Sequence, residues 1–216
     1  MTIKTILFDL DGTLLDTNEL IIQSFQHTYQ KHLNKKVPRE TIIKSFGEIL
    51  QHTMEREFNE CAQEALQTYR NFQNSHFYDY ITMHAGVKEA LQFFYEKEYK
   101  LGVVTSRLND SALKGLKHFH LEHYFGSIIG ADDTNKHKPD PTPALMALEE
   151  LEQNPEETMM VGDSPYDVLC GKNAGMKTVA VGWSALPREM YMTHNPDYLV
   201  ESMEELVALV EKLNTK

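Results

Sequence analysis

Polar side chains that could do chemistry stand at four places in the chain, each just beyond a run of apolar residues. They are Asp9 with Asp11, Thr105 with Ser106, Lys138, and Asp163 with Asp167. Turn chemistry would explain any one of these places alone, because Asp and Ser favour turns. In an open parallel sheet, however, functional groups gather where the carboxyl ends of the strands meet. If each apolar run is a strand of one sheet, the four places form a single site.

The residue types at this site indicate phosphoryl transfer assisted by a metal ion. Converging carboxylates repel one another, and Mg²⁺ removes that repulsion because it prefers oxygen ligands and keeps positions for water and a substrate phosphate. One carboxylate can attack phosphorus while the metal and Lys138 mask the charge of the phosphoryl group. A second carboxylate two residues on can protonate the leaving oxygen and later activate water. The Thr105 hydroxyl and backbone N–H groups in the turn after it can bind phosphoryl oxygens.

Strands and helices alternate through most of the chain. Apolar runs predict buried parallel strands at residues 4–8, 100–105, 127–130, 158–161 and 177–181. Helical spacing of apolar residues predicts helices at residues 87–95, 110–119, 143–151, 166–174 and 203–213. This order predicts an α/β fold with a parallel sheet and right-handed crossovers, which places all four polar clusters at one edge.

One long segment, residues 16–81, breaks the alternation. It contains no convincing strand, and its pattern is helical and polar, with Pro38 and Gly47 as interruptions. One of its apolar faces consists of Phe58, Ala62, Ala65, Leu66 and Tyr69. The simplest interpretation is a small helical bundle inserted after the first strand. We therefore predict a catalytic core at residues 1–15 and 82–216 and a helical cap at residues 16–81.

Composition and charge narrow the class of protein. The chain has 216 residues, of which 41% are hydrophobic and 25% charged, as is usual for a soluble globular protein. Its formal net charge of −11 argues against a nucleic-acid partner, whose phosphates attract basic surfaces. No apolar run approaches the roughly 20 residues that span a bilayer, and two carboxylates interrupt the first run, unlike a signal peptide. Two cysteines without CxxC spacing make a disulfide framework or a zinc site improbable, so we expect a cytoplasmic protein. We also expect a monomer or a weak homodimer.

Four motifs carry a resemblance to a known family. They are Asp9-Leu10-Asp11-Gly12-Thr13, Val104-Thr105-Ser106, Lys138-Pro139-Asp140-Pro141 and Val161-Gly162-Asp163-Ser164-Pro165-Tyr166-Asp167. In this order they resemble the four signature motifs of the haloacid dehalogenase superfamily. The resemblance implies a Rossmann-like parallel sheet with a helical cap inserted between the first two motifs. It also implies Mg²⁺-dependent phosphatase activity through a phosphorylated aspartate.

The resemblance implies roles for the acidic residues of these motifs. Asp9 would be the nucleophile and a metal ligand. Asp11 would be the general acid and base, and would bind Mg²⁺ through its backbone carbonyl. Asp163 would bind Mg²⁺ directly, with Asp167 supporting it.

The remaining motif residues would contact the substrate. In the resembled family, Thr105 and Lys138 would hold the phosphoryl group, and Lys138 would also orient Asp9. Ser106 and Arg107, which follow Thr105 directly, are further substrate-binding candidates. Basic residues of the predicted cap that could meet a substrate anion are Arg39, Lys44, Arg56 and Arg70, although a solvent-exposed position is the default for each.

Further details favour a hydrolase of small phosphate compounds. In the resembled superfamily, dehalogenases lack the second aspartate, so Asp11 favours phosphoryl transfer, and Thr13 is typical of phosphatases where sugar-phosphate mutases usually carry valine. Stretches similar to the bacterial phosphoglycolate phosphatase and pyrophosphatase branch are Thr17-Asn18-Glu19-Leu20-Ile21-Ile22, Tyr69-Arg70-Asn71-Phe72 and Pro196-Asp197-Tyr198. That branch often has proline soon after the cap glycine, whereas Gly47 precedes Glu48-Ile49-Leu50 here. We expect phosphoglycolate or pyrophosphate as the substrate.

Two alternatives stay open at the level of sequence. A sugar-phosphate mutase would form the same intermediate on Asp9 but return the phosphoryl group to a sugar. A non-catalytic phospho-binding protein is the second alternative, although it should lack a motif residue and none is missing. The pattern His118-x-His120-x-x-His123 could suggest a separate metal site, but no carboxylates are placed to complete it.

Overall fold

The computed structural model describes residues 2–215 and is built around a parallel β-sheet. In chain order the strands are β1 (Thr5–Phe8), β2 (Leu15–Asp16), β3 (Thr82–Met83), β4 (Lys100–Val104), β5 (Ser127–Ile129), β6 (Thr158–Gly162), β7 (Lys177–Val181) and β8 (Tyr198–Val200). Six of them form one sheet in the order β5-β4-β1-β6-β7-β8. The chain crosses from β1 to β4 on one side and later returns to β6 on the other. The carboxyl end of β1 therefore lies at a topological switch point, where open α/β sheets bind ligands.

Helices that follow β3 cover both faces of this sheet, and the helices before β3 belong to a separate segment. In chain order the helices are α1 (Asn18–Leu33), α2 (Arg39–Ile43), α3 (Leu50–Phe58), α4 (Ala62–Tyr80), α5 (Val87–Glu96), α6 (Asn109–His118), α7 (Thr142–Leu151), α8 (Pro165–Asn173), α9 (Arg188–Met192) and α10 (Met203–Asn214). Ile6 and Phe8 pack under α5, α6 and α10, whereas Leu7 points to the opposite face, under α7 and α8. Strand side chains alternate between faces, so a strand buried on both sides must be apolar throughout. The predicted α/β fold is confirmed.

Helices α1 to α4 form the segment between the two short strands β2 and β3, which we call the helical insertion (residues 18–80). Phe25 and Tyr29 of α1 pack with Phe58 and with Tyr69 of α4 in a hydrophobic cluster that extends into the core as far as Tyr191 of α9. At its base, β2 and β3 pair antiparallel, with Leu15 opposite Met83. Both ends of the insertion thus leave the core side by side. That it acts as a separate cap domain stays a prediction.

The sequence located the central strands to within one residue and overlooked four short elements. These are β2, β3, β8 and α9. Strands of two or three residues, and a helix of five, are too short to show a periodic pattern. Within residues 2–215, no helix combines the length and apolar character needed to cross a membrane.

Candidate active site

The carboxyl edge of the sheet brings the predicted site residues together. Asp9 directly follows β1, Thr105 follows β4 and Asp163 follows β6. Lys138 reaches the same place from the loop after β5, and Asp167 from the first turn of α8. The register aligns the ends of these strands, because Phe8 lies opposite both Val103 and Val161.

Lys138 supplies positive charge at the centre of the site. Its Nζ donates hydrogen bonds to Asp9 Oδ1 and Asp167 Oδ1, both at 2.6 Å, and to the Val104 carbonyl at 3.0 Å. Only 2% of the Lys138 side chain is exposed. Burial alone would lower the pKa of this ammonium, but the Asp167 and Asp9 carboxylates outweigh burial and raise the pKa above its ordinary value. Lys138 is therefore held in its charged form.

The carboxylates around Lys138 are only partly compensated. Burial, with repulsion from Asp167 and Asp11, raises the pKa of Asp9 to about 7 despite the opposing effect of Lys138. Burial and the Asp9 and Asp167 carboxylates also raise the pKa of Asp163. One carboxylate oxygen from each of Asp9, Asp163 and Asp167 lies within 4.8 Å of the other two. Three carboxylates around one ammonium leave excess negative charge, so this oxygen cluster fits a divalent cation such as Mg²⁺.

No second cluster competes for the metal. Among residues 2–215, the aspartate cluster is the one group of three or more His, Cys, Asp or Glu side chains close enough to share an ion. The histidines at positions 118, 120 and 123 do not form such a group. The separate metal site that their spacing could suggest therefore has no support in the structure.

Asp167 is placed to position its neighbours. Its Oδ1 accepts the bond from Lys138, while Oδ2 accepts bonds from the Ser164 backbone N–H at 3.0 Å and the Ser164 hydroxyl at 2.6 Å. Ser164 is the N-cap of α8, and the bond from its backbone N–H to Asp167 is part of a capping box. Because both of its oxygens are engaged, the geometry of Asp167 suits the supporting role that the family resemblance implies.

Asp11 lies beside this cluster and is bound by Arg107. Arg107 Nε donates to Asp11 Oδ2 at 2.9 Å and Arg107 Nη2 donates to Asp11 Oδ1 at 3.0 Å. Arg107 Nη1 also donates to Ser111 Oγ at 3.0 Å and to Gln73 Oε1 of the helical insertion at 3.4 Å. Only 8% of the Arg107 side chain is exposed. Arg107, which we predicted to contact the substrate, thus forms a bidentate ion pair with Asp11, the predicted general acid.

The loop after β4 joins the core to the helical insertion. Thr105 Oγ1 accepts a hydrogen bond from the Arg107 backbone N–H at 3.1 Å, which fixes the turn. Ser106 Oγ donates to the Gly47 carbonyl at 3.0 Å. Gly47 has a positive φ of 84°, and a Cβ there would lie 2.9 Å from Ser164 Oγ. The absence of a side chain at position 47 therefore lets the insertion approach the site closely.

A glycine is also required within the first motif. Gly12 has a φ of 82°, in the left-handed region that favours glycine. A Cβ at this position would lie 2.3 Å from Asp163 Oδ2. Gly12 therefore lets the turn after Asp11 pack against the Asp163 carboxylate, which brings the first and fourth motifs together.

Comparison with known proteins agrees with this geometry. The chain matches the haloacid dehalogenase-like hydrolase family over residues 6–181. The chain belongs to this family. This hydrolase is 40% identical over 210 residues to a pyrophosphatase PpaX of Anoxybacillus flavithermus, with 97% of this chain and 98% of that protein covered. A pyrophosphatase PpaX of Halalkalibacterium halodurans matches to the same extent.

A solved structure shows the same fold. The hydrolase superposes on the crystal structure of a predicted phosphoglycolate phosphatase from Haemophilus somnus with a TM-score of 0.89. The match covers 97% of this chain and 98% of the other at 19% sequence identity. At that identity the likeness shows the fold alone.

A cavity of about 520 Å³ opens between the core of the hydrolase and the helical insertion. Asp9, Asp11, Thr105, Ser106 and Arg107 line it from the core. The side chains that line it from the insertion include Ile21, Phe25, Phe46, His52, Tyr69, Arg70, Gln73 and Asn74. The cavity therefore places a mixed apolar and polar wall opposite the predicted nucleophile.

The four basic residues singled out in the insertion differ in position. Arg39 and Arg56 form exposed ion pairs with acidic residues of the same segment. Lys44 is exposed and lies outside the cavity lining, as Arg39 and Arg56 do. Arg70 is half-buried and lines the cavity. Of these four residues, the structure therefore places Arg70 alone where it can meet a bound ligand.

Sequence reasoning overlooked other side chains at the site. Ser184 Oγ donates to the Asp163 carbonyl at 2.8 Å and to Asp163 Oδ2 at 3.0 Å. It follows β7 at the same sheet edge, so the rule that located the other clusters could have found it. His52 of the insertion and His137 of the core face each other across the cavity, with ring centroids 6.5 Å apart. No sequence signal links these two, because they lie on separate elements.

Proposed function

We propose that this hydrolase is a Mg²⁺-dependent phosphatase that acts on a small phosphate compound through a phosphorylated Asp9. The observation that carries the proposal is the buried ammonium of Lys138, held 2.6 Å from Asp9 and 2.6 Å from Asp167, while Asp9 itself lines the cavity. This arrangement orients one oxygen of Asp9 and places fixed positive charge beside it. Both features favour attack by a carboxylate on an anionic phosphoryl group.

Asp9 would act as the nucleophile in two steps. In the first, a carboxylate oxygen of Asp9 attacks phosphorus, a new O–P bond forms and the bond from phosphorus to the leaving oxygen breaks. In the second, water attacks the same phosphorus, the Asp9–phosphorus bond breaks and inorganic phosphate is released. Asp9 must be ionised to attack, and Lys138 favours that form by lowering its pKa.

Asp11 would transfer the protons that these two steps require. Its carboxyl would protonate the leaving oxygen in the first step and accept a proton from the attacking water in the second. The ion pair with Arg107 fixes the orientation of this carboxylate at the cavity wall.

The metal site would consist of residues that the structure already brings together. Asp9 and Asp163 would bind Mg²⁺ directly, the Asp11 carbonyl would be a further ligand, and Asp167 would support them. When bound, Mg²⁺ supplies positive charge that shields the phosphoryl oxygens from the attacking carboxylate. The raised pKa values of Asp9 and Asp163 support this assignment, since they reflect carboxylates crowded together in a buried site.

The helical insertion would act as a cap that encloses the substrate. A cavity of about 520 Å³ has room for a small phosphate compound, and pyrophosphatase is the activity in the names of the similar proteins. The paired strands β2 and β3 form the two connections, so we place the hinges near residues 15–17 and 80–84. We propose pyrophosphate or phosphoglycolate as the substrate, in a cap–core arrangement with residues 16–81 as the cap.

The test is a comparison of kcat/KM values for pyrophosphate, phosphoglycolate, sugar phosphates and nucleotides with Mg²⁺. We expect one of the two compact substrates to be hydrolysed fastest, with release of inorganic phosphate. Asp9→Asn should lower kcat by several orders of magnitude, whereas Asp79→Asn, an exposed change on α4, should not. Faster hydrolysis of a sugar phosphate would contradict the proposed substrates. Transfer of phosphate to a sugar would instead identify a mutase. Equal activity of Asp9→Asn and the wild type would contradict the mechanism.

A further inference from the structure

The cations nearest to the predicted nucleophile are already compensated by carboxylates. The Lys138 ammonium is shared between Asp9 and Asp167, and the Arg107 guanidinium is bound to both oxygens of Asp11. In the proposed function, the groups around Asp9 serve the transferred phosphoryl group. A substrate that carries a second anionic group needs another cation, farther from the nucleophile.

Arg70 differs from the other arginines in its lack of an acidic partner. Arg39, Arg56, Arg107 and Arg188 each form an ion pair with Asp or Glu. Within residues 2–215, no ion pair involves Arg70. An arginine that is half-buried in a cavity wall and not paired has its donors available for a ligand.

The acidic residues elsewhere in the cavity wall do not compensate Arg70. Glu48 is bound to Arg56 at 2.8 Å and to Thr53 at 2.8 Å. Asp132 accepts a hydrogen bond from the Asn109 backbone N–H at 2.7 Å. The charge of Arg70 is therefore the uncompensated positive charge in the part of the cavity wall that the insertion provides.

The position of Arg70 on α4 sets its distance from the site. Gln73 lies three residues later, on the same face of the helix, and its Oε1 contacts Arg107 Nη1 at 3.4 Å. Three residues correspond to a rise of about 4.5 Å along the helix. Arg70 thus stands about one turn farther from the core than the Arg107–Asp11 pair. That spacing fits a second anionic group joined to the transferred phosphorus by a short linker.

The surroundings of Arg70 strengthen its attraction for an anion. Ile21, Phe25, Phe46 and Tyr69 line the same wall of the cavity. Apolar neighbours lower the effective dielectric constant, so an ion pair formed there is stronger than one in bulk water. A guanidinium can also bind a carboxylate or phosphate through two parallel hydrogen bonds.

We propose that Arg70 is a specificity-determining residue, which binds the second anionic group of the substrate, a carboxylate or a second phosphate. The proposal rests on the proposed phosphatase function and adds the residue that distinguishes doubly anionic substrates from phosphate esters with a neutral tail. Arg70 takes no part in the transfer steps on Asp9. Its replacement should therefore affect substrate binding and leave the chemistry of a neutral-tailed ester intact.

The test compares Arg70→Gln with Arg39→Gln, a matched change in the same insertion outside the cavity. We expect Arg70→Gln to raise KM for pyrophosphate or phosphoglycolate by about 10-fold or more, which corresponds to about 1.4 kcal/mol. The kcat/KM for p-nitrophenyl phosphate should stay within about twofold of the wild-type value in both variants. Arg70→Lys should restore part of the affinity, because it keeps the charge but not the planar donor geometry. Equal losses on all substrates, or no change on the doubly anionic ones, would overturn the assignment.

A binding measurement separates this proposal from the proposed function. Calorimetry should show weaker binding of methylenediphosphonate, a pyrophosphate analogue that resists hydrolysis, to Arg70→Gln than to the wild type. The affinity for inorganic phosphate should be the same in both proteins. A wild type that hydrolyses no phosphate compound would contradict the proposed function, and the diphosphonate would still test Arg70. Wild-type and variant proteins that bind the diphosphonate equally, or a wild type that binds it no better than phosphate, would contradict the role of Arg70.

Discussion

Replacement of Lys138 by alanine would reveal how strongly the buried carboxylates depend on its charge. Exposed fractions are 2% for the Lys138 and Asp167 side chains and 8% for that of Asp9, so the two ion pairs are almost fully buried. Removal of one partner of a buried pair leaves an uncompensated charge, which typically costs about 3–5 kcal/mol. We expect Lys138→Ala to lower the free energy of unfolding at pH 8 by about this amount.

A matched control is available on the surface. Lys177 Nζ lies 2.7 Å from Asp197 Oδ1, close to the 2.6 Å of the buried pairs, but 37% of the Lys177 side chain is exposed. Exposed ion pairs contribute about 0–1 kcal/mol because water and salt screen them. Lys177→Ala should therefore lower the free energy of unfolding by no more than about 1 kcal/mol. Distances and residue types are similar in the two cases, so burial and the second carboxylate partner of Lys138 account for the contrast.

The effect of Lys138→Ala should also depend on pH. Burial raises the pKa of Asp9 from 3.8 to about 7, so the folded state binds more protons than the unfolded state between these values. Stability contributed by Asp9 therefore falls as pH rises through this range. Lys138 lowers the pKa of Asp9, so without Lys138 this pKa would be higher and the decrease in stability would continue to higher pH. The destabilisation should be smaller at pH 5 than at pH 8.

The assay is urea unfolding of metal-free protein, with EDTA present so that metal binding does not add to stability. The midpoint should shift while the slope with urea stays constant, as expected for a change in stability alone. A loss below about 1 kcal/mol at pH 8 would refute the view that Lys138 compensates buried charge. An equal decrease in the free energy of unfolding at pH 5 and pH 8 would show that ionisation of Asp9 does not control the effect.

Three further predictions address other parts of the structure. Gly12→Ala should lower kcat far more than Gly175→Ala, because both have positive φ but only the Cβ at position 12 meets Asp163; equal kcat values for the two variants would contradict this. Asp197→Ala should lower the free energy of unfolding by about 1–2 kcal/mol at pH 7 in urea titrations, since Asp197 accepts bonds from the Thr178 backbone N–H and hydroxyl. Burial raises the pKa of Asp197, but hydrogen bonds from Lys177 and Thr178 outweigh burial and lower this pKa overall. The stability lost in Asp197→Ala should therefore disappear as pH falls through the lowered pKa, and a loss that does not depend on pH would contradict this prediction. Chelation by EDTA should abolish phosphate release and added Mg²⁺ should restore it, whereas full activity after exhaustive chelation would contradict the metal assignment.

The fold could be predicted from sequence where long patterns exist. Buried parallel strands such as β1 and β6 carry no charged residue and are almost entirely apolar after a first threonine, and amphipathic helices such as α10 show a clear period, so the sequence predicts both. β8 was overlooked because it is a three-residue edge strand, paired with β7 alone and only partly buried. The two-residue strands β2 and β3 carry no pattern of their own.

The sequence predicted which motif residues would lie together at the candidate site, but not how their side chains pair, and it overlooked Ser184. A parallel sheet brings the ends of its strands together, so the meeting of Asp9, Lys138 and Asp163 follows from topology. The ion pair between Asp11 and Arg107 joins residues 96 positions apart and depends on side-chain geometry that no local pattern encodes. Likewise, the sequence does not show that Arg70 lines the cavity and Arg56 does not, because this depends on how α3 and α4 pack against the core.

The central claim is that Asp9 carries the phosphoryl group during turnover. The most direct measurement is to quench the enzyme rapidly during hydrolysis of its best substrate and reduce it with borohydride, which converts an aspartyl phosphate to homoserine. Mass spectrometry of the peptides should then show homoserine at position 9, and no such product at position 11 or in the Asp9→Asn variant. Unmodified Asp9 in wild-type enzyme quenched while phosphate is being released, or modification at another residue, would contradict the account.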